Sequence, residues 1–204
     1  MGILSSSVSI TRYKVEGKIK EPVLETVLKG LKENSVFEID DDVSGKAVGW
    51  TSFDTPLNPD FGGSSFDFGS YLVFSLRIDK KTIPPKVLKK YCAQEAAKRL
   101  AETGRAYLSK DEKQSIKEHV TNLLNRRIPA TPNVYDLLWN FEGGRLLFLS
   151  NLKAANEELE TLFSKSFKLS LIRLFPFTMA DLTANLSTAD RDILLKLSPT
   201  TFME

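Results

Sequence analysis

The side chains able to do chemistry fall into two unequal sets, one acidic and one basic. The acidic set is Asp40, Asp41 and Asp42 in a row, with Asp54, Asp60 and Asp67 nearby in sequence. Carboxylates at that density can hold magnesium for phosphodiester cleavage. Consecutive aspartates on a turn point in different directions, and turns favour Asp because its carboxylate bonds the local backbone. The expectation is a turn, with a metal-dependent nuclease using the Asp40–Asp42 region as the alternative. The single histidine, His119, lies beside Lys117 and Glu118 and reads as a surface residue. One histidine and one cysteine exclude a multi-histidine zinc site and an intramolecular disulfide. Cys92, with Ala93 and Ala96 at helical spacing, reads as a small buried residue. GxxxxGK[ST], GxGxxG and GxSxG are all absent. The glycine-rich "FGGSSFDFGS" (Phe61–Ser70) is not followed by a helix start, so it makes a poor phosphate cradle. No catalytic residue, metal or cofactor is expected.

The basic set carries more weight. From Arg77 to Arg127 there are 14 Lys+Arg against 6 Asp+Glu, a net of +8. The whole chain is +2, so the remainder carries −6. Such segregation predicts a cationic projection on an anionic body. Lys86, Lys90 and Lys98 recur at multiples of four. Lys110, Lys113 and Lys117 share a second helical flank. Arg105 falls between the two helices, and Arg126 and Arg127 close the second. Lysines as point charges and arginines as forked donors suit phosphates and need not read bases. A plain alternative is a hairpin whose lysines keep it soluble and whose terminal arginines complement a helix dipole. A basic surface for an acidic protein partner is a third reading.

These residues need elements to hold them. "VSITRYKV" (Val8–Val15), "SVFEI" (Ser35–Ile39), "KAVGWTSF" (Lys46–Phe53) and "YLVFSLRI" (Tyr71–Ile78) read as strands. The last is apolar enough to be central. Glu21–Glu33 reads as a helix, and Asp54–Ser70 as a loop. Pro84 and Pro85 interrupt the strands. Lys86–Thr103 is then rich in helix formers and stops at Gly104. Ser109 and Glu112 form a capping-box pattern opening a second helix. Its apolar positions Ile116, Val120, Leu123 and Leu124 fall on one side. "NVYDLLWNF" (Asn133–Phe141) and "RLLFLS" (Arg145–Ser150) follow as a β-hairpin turning at Gly143-Gly144. Lys153–Phe163 reads as a helix, "LSLIRLF" (Leu169–Phe175) as a strand, and Ala189–Leu197 as one more short helix. Trp50 and Trp139 lie within strands and are expected in the core.

The fold class is α+β: a mostly antiparallel sheet with packed helices and an inserted helical hairpin, or finger. Residues 1–80 form the N-terminal part, 81–132 the basic finger, and 133–204 the C-terminal part of the same body. No apolar run approaches the roughly 18 residues of a membrane span. "MGILSS" fits the loose myristoylation pattern, but a single acyl chain anchors weakly.

"KTIPPKVLKKYCAQEAAKRLAETGRAYLSKDEKQSIKEHVTNLLNRR" resembles the middle of the recombination-associated RdgC proteins. There, Lys-x-(Leu/Ile)-Pro leads into a helix ending in Gly-Arg, a linker carries Lys-x-Glu-Lys, and a second helix contains Lys-Glu-Val and ends in Leu-Leu-x-Arg. Here those elements are Lys81–Pro84, Gly104-Arg105, Lys110–Lys113, Lys117-Glu118 with Val120 one place later, and Leu123–Arg126. "VGW" (Val48–Trp50) and the strand–helix–strand of Arg145–Phe175 are similar too. The resemblance implies a cytoplasmic protein of the bacterial nucleoid that binds DNA without sequence preference, double-stranded DNA being expected and single strands the open alternative. It implies a homodimer forming a ring, with fingers helping to close it, and restraint of a RecA-type recombinase. The family's exonuclease label finds no matching residues. Its finger ends in Arg-x-Phe, whereas here Arg126 is followed by Arg127 and Ile128, so Ile128 is expected as the finger-tip contact. Typical members continue well past the counterpart of Phe175. The expectation here is therefore an open dimer or a monomer.

Overall fold

The computed structural model describes residues 2–62 and 66–198. Part of the glycine-rich stretch, residues 63–65, lies outside them. Seven strands form one sheet: β1 (Thr11–Glu16), β2 (Lys46–Thr51), β3 (Asp67–Phe68), β4 (Tyr71–Lys80), β5 (Thr131–Asn140), β6 (Arg145–Phe148) and β7 (Ser170–Arg173). The spatial order is β2-β4-β5-β6-β1-β7, with β3 beside β4, and every named pairing is antiparallel. Six helices accompany it: α1 (Val23–Glu33), α2 (Pro85–Thr103), α3 (Lys110–Asn125), α4 (Lys153–Phe167), α5 (Pro176–Thr183) and α6 (Thr188–Lys196). The fold is α+β, as the sequence implied. No described helix is long and apolar enough to cross a membrane.

Alternation decides which face is which. Leu72, Phe74 and Leu76 of β4, Leu137 and Trp139 of β5, and Leu146 and Phe148 of β6 point to one side. There they meet Leu31 of α1 and Leu159, Phe163 and Phe167 of α4. Trp50 packs edge-on against Phe74 at 5.1 Å, and Trp139 against Phe163 at 5.0 Å. Both tryptophans are buried, and Trp50 Nε1 donates to Ser166 Oγ at 2.8 Å.

Some expectations needed correction. Ser35–Ile39 is no strand. Only Ser35 makes an isolated bridge to Trp50. Val36 and Ile39 are buried while Phe37 lies exposed, a three-residue spacing that a period-two strand cannot supply. β3 falls in what read as loop, and α5 was not expected at all. Pro176 opens α5, where a missing N–H costs nothing. α4 runs on to Phe167, beyond the expected Phe163, because Phe167 joins the core.

The placement of α2 and α3 is what positions the basic residues. β4 and β5 pair along their whole lengths, from Tyr71↔Asn140 to Lys80↔Thr131. At that last rung the chain leaves as α2 and returns as α3. The 19 residues of α2 reach roughly 28 Å. The far end is therefore the connection Gly104–Ser109, and Arg126–Ala130 lies back at the sheet.

Candidate nucleic-acid interface

The hairpin is thin. Its buried core is Leu108, Ile116, Val120 and Leu124, and no residue of α2 is fully buried. Half-buried Val87, Leu88, Tyr91, Cys92, Ala96 and Leu100 complete the seam from the α2 side. Cys92 packs on this seam but is only half-buried, less covered than the buried residue expected, and Ala93 is exposed. Gly104 ends α2 at φ +64°, the left-handed value that favours glycine. Ser109 Oγ accepts the Glu112 N–H at 3.2 Å, and a Glu112 carboxylate oxygen accepts the Ser109 N–H at 2.8 Å. The expected capping box is therefore formed on both sides.

Arg105 binds the Glu112 carboxylate. That guanidinium, with the Ser109 N–H after it, pulls the Glu112 pKa down to about 2. Arg105 is thus part of the α3 start, exposed but with its guanidinium on a carboxylate. The other eight expected ligands, Lys86, Lys90, Lys98, Lys110, Lys113, Lys117, Arg126 and Arg127, are exposed. None of them forms an ion pair with a described residue.

They do not form one surface. At 100° per residue, Lys110, Lys113 and Lys117 fall within about 60° of one another on α3 and make a continuous strip. Arg126 and Arg127 lie elsewhere, lining a groove with His119, Asn122 and Val43 beside the sheet. On α2, Lys89 and Arg99 are as exposed as Lys86, Lys90 and Lys98. Charge therefore wraps α2 instead of following one flank. Spacing by fours selected one row and left Lys89 and Arg99 out, although the density of the run contained them.

Ile128 is misplaced in the sequence reading. It is half-buried against the hairpin core at the sheet end, and its N–H bonds the Leu124 carbonyl at 3.0 Å. It cannot be a tip contact. Pro129 and Pro132 after it mark the return of the hairpin into β5. The exposed ring at the true tip is Tyr107, 80% accessible and two residues from Arg105. Its only signal in the sequence was its place between the two helices.

Not every cation of the +8 segment reaches solvent. Arg77 is buried and holds Asp79 in a two-pronged pair at 2.7 and 2.6 Å. Lys81, also buried, points its ammonium at the carbonyls of Asp40 at 2.9 Å, Asp42 at 2.8 Å and Asn125. Removing that neutral pair and Lys81 still leaves +7 of the +8 on the surface.

Lys81 also explains the acidic turn. Asp40 Oδ1 accepts the Ala130 N–H at 2.8 Å, and Asn125 Nδ2 donates to the Val43 carbonyl at 3.0 Å. Asp42 accepts from Ser44 Oγ at 2.9 Å and from the Val43 N–H at 2.6 Å, which holds its pKa below the usual range. Asp60 accepts the Gly62 N–H at 2.9 Å. The turn clamps the hairpin base to the sheet. Among the described residues no three His, Cys, Asp or Glu side chains converge as a metal site.

A family model described as "Putative exonuclease, RdgC" matches residues 9–188 of the 204. No curated protein matches the chain.

Proposed function

Since the chain belongs to the RdgC family, a recombination-associated family of the nucleoid, we propose that it binds DNA through the sugar–phosphate backbone with its helical finger. The observation that carries this reading is the strip of Lys110, Lys113 and Lys117, exposed and without carboxylate partners on a finger that projects from the sheet. Arg126 and Arg127 add charge just past the C-terminal end of that helix, in the groove with His119 and Asn122. Cations along one helix flank and again at the helix end suit an extended polyanion that runs past the finger, as a sugar–phosphate backbone does. Nothing in this arrangement distinguishes bases, so binding is sequence-independent. Tyr107 at the tip offers an exposed aromatic contact to a second copy of the chain, in an open homodimer. A protein held on the backbone in this way restrains a RecA-type recombinase by occupying its track.

The role is non-catalytic. Both Asp42 oxygens accept from the Val43 N–H and Ser44, and Asp40 Oδ1 accepts the Ala130 N–H, which favours a clamp over a nuclease. A basic finger that meets an acidic protein would show the same charge. The test is a salt-titrated binding measurement with duplex and single strands. Six to ten phosphate contacts make affinity fall about 10³–10⁵-fold between 50 and 200 mM salt. Binding that ignores salt, or that appears only with an acidic protein, overturns the reading.

A further inference from the structure

The sheet has a second face that the finger does not use. Its rungs can be read from the register. One runs Tyr71–Asn140–Arg145–Lys14–Ile172 across β4, β5, β6, β1 and β7. On β6 and β1 the next rung of this face holds Leu147 opposite Arg12. Over these rungs lies a cavity of about 520 Å³, closed on one side by Leu174 and by Met179 and Leu182 of α5. That size falls in the range of about 300–1,000 Å³ usual for small-molecule sites.

The charges in this cavity are unusual. Lys14 and Arg145 are directly opposed cross-strand neighbours, an arrangement that like charges disfavour. Arg12 lies one rung away on the same face, its Nη2 3.4 Å from Met179 Sδ instead of on a carboxylate. Lys14 has Glu16 at 3.0 Å, whereas Arg12 and Arg145 form no ion pair with a described residue. Three cations line one cavity, two of them without a carboxylate partner among the described residues, which suits a phosphate better than a single carboxylate. Beside them the floor is flat and apolar at Leu147, and the half-exposed Tyr71 ring stands at the end of the rung. An open sheet surface takes a planar ring and gives no tunnel for an acyl chain. Asn140 Oδ1 is engaged by the Gly143 N–H at 2.6 Å, so its amide N–H groups are what it offers a ligand.

We propose that this cleft binds a nucleobase 5′-monophosphate, with the phosphate between Arg12, Lys14 and Arg145 and the base over Leu147 toward Tyr71. The ligand is a free nucleotide or the 5′-phosphorylated end of a single strand, which share this chemistry. The site is separate from the finger and stands whether or not the finger binds duplex.

Calorimetric titration of the intact chain with adenosine 5′-monophosphate tests it. Saturable binding at least tenfold tighter than adenosine or inorganic phosphate alone is expected. Arg145→Gln, at an exposed position, weakens it tenfold or more, and Met179→Trp, which fills the cavity, does the same with circular dichroism unchanged. Changing Lys110, Lys113 and Lys117 to Glu leaves it intact, which separates this site from the finger. Competition by a 5′-phosphorylated single strand, and not by the same strand without phosphate, assigns the ligand as a strand end. Failure of both strands to compete assigns it as free nucleotide. Absence of saturable binding, equal affinity for adenosine, or indifference to both Arg145→Gln and Met179→Trp overturns the proposal.

Discussion

The sheet body and the finger are built on opposite plans. In the body, Trp50, Phe74, Trp139, Phe163 and Phe167 touch one another between the sheet and α4. In the finger, four buried aliphatic residues on or just before α3 meet a half-covered row on α2. The body spends its sequence on burial, and the finger spends most of its own on solvent-facing charge. A two-helix layer cannot do both, since every lysine on its surface is a position withheld from a core. Its order then depends on its anchorage: the β4–β5 ladder beneath it, the Lys81 clamp, and the capping box at the far end.

The contrast can be broken from either side. The largest effect is expected in the body. Phe167→Ala removes a ring that contacts Trp50, Trp139 and Phe163, and should cost about 3–5 kcal/mol in global denaturant unfolding. Ile116→Ala in the finger should cost about 2 kcal/mol. It should appear first as faster amide exchange in α2 and α3, with β4 and β5 still protected. Equal global loss for both variants would show that the two regions unfold as one unit.

Next comes function without stability. Lys110, Lys113 and Lys117 changed together to Glu should lower duplex affinity at least a hundredfold at low salt while the thermal midpoint holds within a few degrees. Unchanged affinity removes the finger from the binding surface. Lys81→Met is the complementary change. It leaves the carbonyls of Asp40, Asp42 and Asn125 without their donor, at a cost of about 1–3 kcal/mol. Exchange should quicken at Asn125–Ala130 in particular.

The smallest effect sharpens the far end. Glu112 has its pKa lowered from 4.5 to about 2 by Arg105 and the Ser109 N–H. A depressed folded-state pKa means stabilisation that is complete above the unfolded value and lost as pH falls through the folded one. The first turn of α3 should therefore loosen between about pH 4.5 and 2. Proton NMR of the Ser109 and Glu112 amides would follow it, and Glu112→Gln should remove the pH dependence.

Local signals were legible wherever local physics decides. The α2 stop at Gly104, the Ser109–Glu112 cap and the Gly143-Gly144 turn are each settled by a few neighbouring residues. So was the charge polarity, because it is a count. Ser35–Ile39 misled, since a pentapeptide with Val, Phe and Ile looks the same whether it pairs as a strand or tucks two side chains under a neighbour. Ile128 misled for a related reason: Arg-Arg-Ile-Pro marks the end of a helix and does not say which end of a hairpin that is.

By itself, then, the sequence determined the α+β class, the hairpin between two strands, and the gathering of positive charge on it. Those follow from periodicity, capping and composition, which act over a few residues at a time. The tertiary structure alone decided which cations stay free. Lys81 finds its carbonyls about forty residues away in sequence and Arg105 reaches Glu112 through a turn whose path was unknown, while Arg77 meets Asp79 two residues along β4 on a face that only the fold buries. It also decided that β1 lies between β6 and β7, and so that Lys14 faces Arg145. Strand pairing joins residues far apart in the chain, and an electrostatic site exists only once that pairing is made.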